Sequence, residues 1–198
     1  MNMFRGRPRK DLIMRHGALA PRALEGLNIA IIGGTNGIGR ALALAALAKG
    51  AKVRVVGRPS RDAATPGLSF VAADLSSMAA ARRVAQDLSA SSLDILVFTN
   101  GVMAGRQRRE TSEGIEYDLA VSYLSRYIIL REVASTLGVA RPTPARKPRV
   151  FFMGFPGADQ TGSIDDFNSE RAFAQGPVPR DSSAVPQRMQ APSVLTHL

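Results

Sequence analysis

An α/β fold, a doubly wound parallel sheet, is what this sequence predicts. Two observations carry that prediction. Short apolar runs alternate with helix-forming stretches from residue 27 to residue 153, the order that produces parallel strands linked by helical crossovers. Three glycines, Gly33, Gly37 and Gly39, stand between the first apolar run and the first helical stretch, where a strand must turn sharply into a helix. The apolar share of 45% is enough for a real core, so the 198 residues read as one domain.

The elements follow in order. Residues 1–26 form a basic leader, expected to be flexible. In it Arg5, Arg7, Arg9, Lys10, Arg15 and Arg22 stand against Asp11 and Glu25, with no apolar period. "LNIAII" (27–32) is short and rich in isoleucine, a buried strand. "IGRALALAALAK" (38–49) consists of strong helix formers, and Gly50 stops it. "AKVRVVG" (51–57) is a second strand, and "LSFVAADL" (68–75) a third that ends in a turn. Residues 76–90 carry alanine, arginine, glutamine and leucine at helical spacing, with Ser76 or Ser77 as N-cap. "LDILVF" (93–98) is the fourth strand. A basic loop at 104–110 leads into a long helix expected over 112–137. The proline-rich "ARPTPARKP" (140–148) is a surface loop, and "RVFFM" (149–153) is the fifth strand. After residue 172 the pattern dissolves. The last stretch has four prolines and no period, so 173–198 is expected to be disordered or loosely attached, and 27–172 to be the folded domain.

Composition excludes several chemistries. With no cysteine there is no disulfide, no cysteine metal site and no thiol nucleophile. No charge-free apolar run reaches the roughly 18 residues of a membrane-spanning helix, so a soluble, cytoplasmic protein is expected. A net charge of +10 raises nucleic acid, anionic membrane or phosphate-bearing ligands as partners. The basic groups are spread over 5–22, 52–61, 106–109 and 141–149, which suits several exposed faces and a phosphate site better than one nucleic-acid stripe.

The glycine turn is the most informative motif. Gly33, Gly37 and Gly39 form G-x-x-x-G-x-G directly after a strand and before a helix. Missing side chains let backbone approach a pyrophosphate, and the helix N-terminus adds N–H donors and a favourable dipole. "GGTNGIG" resembles the T-G-x-x-x-G-I-G signature of the short-chain dehydrogenase/reductase family, with Ile32 where the threonine usually sits. "AADL" (72–75) resembles the segment after that family's third strand, "TNGV" (99–102) its N-A-G motif, and "TSEGIEYDLAVSYLSRYIIL" (111–130) its long helical region. The resemblance covers about residues 27–168. It implies a Rossmann-type fold, a nicotinamide dinucleotide, and hydride transfer between a carbonyl and an alcohol in a small molecule. The cofactor residues it implies are Gly33, Thr35, Asn36, Gly37, Ile38, Gly39, Asp74, Leu75, Asn100 and Gly101.

The choice of cofactor follows from charge. Sites for NAD place an Asp or Glu at the end of the second strand, as acceptor for the ribose hydroxyls. Here that end is Val56-Gly57-Arg58, with Arg40 after the last loop glycine and Arg61 beyond. Guanidinium groups bind a 2′-phosphate through charge-assisted contacts. NADP is therefore expected over NAD, with Arg40 and Arg58 as its readers. The plainer reading is a set of solvated arginines on a basic surface.

The catalytic half of the resemblance fails. The family runs its chemistry with Asn, Ser, Tyr and Lys, the last two in a Tyr-x-x-x-Lys pair. The tyrosines are Tyr117, Tyr123 and Tyr127, and Val121, Tyr127 and Arg131 stand four residues after them. Tyr127 and Arg131 read as a helix surface pair. Ser122 aligns with the family's asparagine and is the only polar residue left at a catalytic-set position. Gly154 or Phe155 stands where the serine belongs. Ser163 and Ser169 have no visible base, and Asp165 with Asp166 reads as solvated rather than metal-binding. His16 and His197 lie in the ragged ends. The resemblance also implies sixth and seventh strands beyond this chain, so the sheet is expected to be incomplete at its C-terminal edge and marginal in stability. The segment "GSIDDFNSERAF" (162–173) is similar to the approach to the family's tyrosine helix. Either the chain is a diverged binding protein, or its reading frame departs from its parent near residue 172.

Weak or no turnover is thus expected of an NADP-dependent oxidoreductase by family. One alternative is an NADP(H)-binding pseudoenzyme that engages a partner, with a homodimer through helix 112–137 implied by the resemblance. A minor alternative is DNA binding through "RGRPRK" (5–10), which resembles a minor-groove AT-hook core. The same leader is arginine-rich and acid-poor like a mitochondrial presequence, but lacks serine and an apolar face. A solvated basic tail is the reading preferred.

Overall fold

The structure, a computed structural model, describes residues 20, 22–58, 65–102, 107–141, 147–154 and 164–171. Among them are strands β1 (Asn28–Ile32), β2 (Lys52–Gly57), β3 (Leu68–Ala72), β4 (Ile95–Phe98) and β5 (Arg149–Phe152), and helices α1 (Gly37–Ala48), α2 (Met78–Asp87) and α3 (Ser125–Val133). The strands form one parallel sheet in the order β3-β2-β1-β4-β5, the doubly wound α/β arrangement that the sequence predicts. β1 lies at the centre, with Ile29 opposite Val53 of β2 on one side and opposite Ile95 of β4 on the other.

Both faces of the sheet are covered, so successive residues of β1 enter different cores. Ile29 and Ile31 pack with Val53, Val55, Ala43 and Ala46 on the α1 side. Ala30 and Ile32 pack with Val56, Leu96, Phe98, Val84, Ile129 and Val133 on the side of α2 and α3. A strand buried on both faces needs apolar side chains at every position, which is why β1 shows no alternation.

Helices α1 and α2 each begin where the chain provides a cap. Asn36 Oδ1 accepts from Gly37 N at 2.8 Å at the start of α1. At α2, Ser77 Oγ accepts from Ala80 N at 3.3 Å, and the Glu113 carboxylate accepts from Met78 N at 3.1 Å. Before β4 a 3-10 turn runs over Ala90–Ser92.

The expected helix over 112–137 needs correction. Residues 110–116 instead form a turn closed by an antiparallel bridge between Glu110 and Glu116. The helix starts at 117 and passes through a π-helical segment, Leu119–Leu124, before α3. The cause is competition for one carbonyl. Val121 O accepts from Asn100 Nδ2 at 2.6 Å and from Ser125 Oγ at 2.8 Å. The Ser125 N–H then bonds one residue further back, to Ala120 O, which is the π pattern. Residue 22 onward of the expected leader packs on the domain, with Leu24 against the α1-side core and its N–H on Lys49 O at 3.1 Å. The AT-hook-like residues 5–10 and the tail 173–198 lie outside the described residues.

Candidate functional site

In an open α/β sheet, ligands bind outside the carboxyl ends of the strands, where the winding direction reverses. Here that point lies between β1 and β4. Ile32 O, at the end of β1, accepts from Thr99 N at 2.8 Å and Asn100 N at 3.0 Å, and from Thr99 Oγ1 at 3.0 Å. Gly33 N donates across to Val56 O of β2 at 2.7 Å. The glycine turn is thus pinned to the ends of the strands on either side.

The three glycines serve two purposes. A Cβ at Gly33 would lie 2.4 Å from Asn100 N, and one at Gly39 would lie 2.3 Å from Gly33 O. Both are held by close packing. Gly37 has φ +51° and would place a Cβ in open space, with nothing within 4 Å. Gly37 is exposed at the start of α1, beside the exposed side chain of Ile38, with its N–H held by the Asn36 cap. A helix N-terminus with open backbone in front of it fits a dinucleotide pyrophosphate.

The other expected cofactor residues line the same edge. Arg40 is exposed on the first turn of α1, and Arg58 is exposed one residue past β2. The half-buried Thr35 lies against Gly57, the last residue of β2. Asp74, past β3, is exposed and folds back to accept from Ser76 N at 3.0 Å, while Leu75 beside it is buried. Gly101 is exposed after β4. Asn100 is buried, with Nδ2 donating to Val121 O and to Ser125 Oγ at 3.0 Å, so it fixes the helix rather than facing outward. Its Oδ1 has no hydrogen-bond partner among the described residues.

At the β4 end the helix delivers three polar side chains. Ser122 Oγ donates to the Asp118 carboxylate and accepts from Val102 N at 3.1 Å. Its single proton is used, and one lone pair remains. Arg126 crosses from α3 to the strand ends, donating through Nη2 to Asn100 O and through Nη1 to Met153 O at 2.9 Å. Burial lowers the pKa of this guanidinium below its ordinary value, and the Asp118 charge opposes that shift. Thr99, Asp118 and Arg126 are absent from the sequence prediction. Arg126 had a signal: one arginine inside the apolar run "YLSRYIIL", four residues and hence one turn after Ser122.

The tyrosines are engaged elsewhere. Tyr117 lies under the Arg109 guanidinium, 4.2 Å from the ring centroid. Tyr123 meets Phe167 edge-on at 6.2 Å. Tyr127 is 51% exposed. Among the described residues no group of three or more His, Cys, Asp or Glu could hold a metal ion. No helix among them is long and apolar enough to cross a membrane. Arg61, Phe155, Ser163, His16 and His197 lie outside the described residues.

Comparison with known proteins matches this geometry. A family model described as short chain dehydrogenase matches residues 27–141. An uncharacterized oxidoreductase of Saccharomyces cerevisiae is 47% identical over 146 residues, which cover 72% of this chain and 47% of the yeast protein. The chain therefore spans about half the length of this curated relative. Among solved structures, Pseudomonas aeruginosa RhlG in an NADP active-site complex aligns with a TM-score of 0.52 at 28% identity, over 68% of this chain and 57% of that one. An NADH-dependent reductase complexed with NAD aligns with a TM-score of 0.57 at 21% identity, over 68% of this chain and 62% of that one. At that identity the likeness is one of fold.

Proposed function

The chain belongs to the short-chain dehydrogenase family, and from that premise we propose that it binds NADP(H) in the crevice between β1 and β4, as an oxidoreductase-type domain with weak or no turnover of its own. The observation that carries this reading is the glycine turn: Gly33 and Gly39 are locked by packing, while Gly37, the first residue of α1, has open space where a side chain would stand. Dipole and N–H groups there receive the pyrophosphate. Arg40 and Arg58 receive a 2′-phosphate, and β2 ends in Gly57 without an acid. The NADP complex of Pseudomonas aeruginosa RhlG, which is similar to this chain, supports the same choice. Asp74 and Leu75 border the adenine end, and Asn100 and Gly101 border the nicotinamide end.

A bound nicotinamide supplies or accepts a hydride; the remaining work of such a reaction is proton transfer and orientation. Here no tyrosine is followed by lysine at the fourth position. Ser122 spends its proton on Asp118, so it orients a ligand donor through its free lone pair and does not protonate a substrate oxygen. These two observations favour a second reading, an NADP(H)-binding module without catalysis.

Nucleotide titration of the full chain tests the proposal. NADPH fluorescence should saturate in the micromolar range, with NADH at least about 10-fold weaker. Arg58→Glu should weaken NADPH by about 10-fold or more through lost charge-assisted contacts and leave NADH unchanged. A chain that takes up no NADPH at millimolar concentration overturns the reading. Rapid carbonyl reduction overturns the expectation of weak turnover.

A further inference from the structure

Gly57 has an unusual reason to be glycine. Its φ is negative, as in an ordinary strand, so backbone conformation does not require it. The obstacle is Thr35. A Cβ built at position 57 would lie 2.7 Å from Thr35 Oγ1 and 3.0 Å from Thr35 Cγ2. A contact under 3 Å forces something to shift, and the loop that carries Thr35 is wedged. On one side a Cβ at Gly34 would lie 2.6 Å from Val55 Cγ1 of β2. On the other, Gly33 abuts Asn100 N and Gly39 abuts Gly33 O. The loop fills the gap between the ends of β2 and β4 and cannot retreat from β2. Relief must come from the Thr35 side chain, and a β-branched residue carries heavy atoms at two of its three staggered positions.

We propose that Thr35 is a specificity-determining residue, acting by steric exclusion: it keeps position 57 free of any side chain and so bars an acid from the end of β2. The proposal rests on the NADP reading above. Its content is different, because it makes cofactor choice the property of a pair. An Asp at 57 is accepted only when position 35 is small. Thr35→Ala leaves the Thr35 Cβ position 3.5 Å from a Cβ at 57, ordinary van der Waals contact. In this role Thr35 acts through position 57, so it is a positioning residue.

A double-mutant cycle on the full chain tests this. Without nucleotide, Gly57→Ala should lower Tm by about 5 °C, the order expected for an overpacked site in a chain of this size. Thr35→Ala should change Tm little, and the double variant should recover most of the loss. With nucleotide, Gly57→Asp alone should weaken NADPH without gaining NADH. Gly57→Asp with Thr35→Ala should move the NADH-to-NADPH preference by about 10-fold or more toward NADH. Additive Tm changes, or a Gly57→Asp chain that keeps the wild-type Tm and already takes NADH, overturn the exclusion while the NADP reading stands. A wild-type chain that binds neither nucleotide overturns the NADP reading and removes the specificity role, even if the Tm coupling is present.

Discussion

Arg126 shows how one side chain joins separate parts of the site. Its guanidinium donates to the carbonyls that follow β4 and β5, Asn100 O and Met153 O. Hydrogen bonds from a charged donor contribute about 1.5–3 kcal/mol each, and an acceptor left bare in a half-buried setting adds a desolvation cost. Arg126→Met should therefore lower stability by about 2–3 kcal/mol in denaturant unfolding. Arg126→Lys should recover less than half of that, because an ammonium cannot span two carbonyls with a planar fork. Tyr127→Ala, one residue along and exposed, should change stability by less than about 0.5 kcal/mol. The contrast between charge on a surface helix and charge turned inward is not legible in the sequence. A family pattern located Ser122, yet it held no information on the partner of its proton, which depends on the pitch of the helix around it.

At the scale of elements, strand identities are legible because the strands are short, mostly apolar runs bounded by glycine, proline or polar residues, interrupted only by Arg54 in β2 and Ser69 in β3. The helix after β4 is legible in the sequence as a helix, but its extent is not. Its pattern does not reveal that Asn100, over 20 residues earlier in the chain, takes the Val121 carbonyl and forces the π segment. The glycines at the start of α1 divide their labour. Gly39→Ala should unfold or severely destabilise the chain, since the new Cβ meets the Gly33 carbonyl oxygen. Gly37→Ala meets no atom and carries only the left-handed backbone cost of about 1–2 kcal/mol, so it should fold and lose most NADPH affinity. Circular dichroism with nucleotide titration separates the two outcomes. The cap on α2 was legible only in part, as Ser77. Glu113 supplies the rest from the turn before α3, and Glu113→Ala should lower stability by about 1 kcal/mol in thermal unfolding.

For the molecule as a whole, the sheet has unequal edges. β5 pairs only with β4 among the described strands. Phe151 and Phe152 face opposite sides of it and are 47% and 43% exposed, with Met153 at 41%. Phe152 still stacks on Phe98 at 4.8 Å, so its exposure is the outer rim of a core contact. Phe151 has no such ring partner among the described residues. An apolar edge of this kind favours self-association. Phe151→Lys should reduce the concentration-dependent mass seen by sedimentation and leave Tm within about 2 °C of the parent. The family resemblance alone implies an open edge at this end of the sheet. Which aromatic is anchored and which is bare required the register of β4 against β5.

The central position of β1 also has a consequence in time. Its outer neighbour Val53 follows Ile29 closely in the chain, whereas its other neighbour, Ile95, is 66 residues away. During synthesis the first three strands leave the ribosome with one flank of β1 bare, and that flank stays uncovered until the fourth emerges. At roughly 5–20 residues per second, the wait lasts seconds, long enough for a chaperone or a wrong strand to find Ile29 and Ile31 before their partners Ile95 and Val97 arrive.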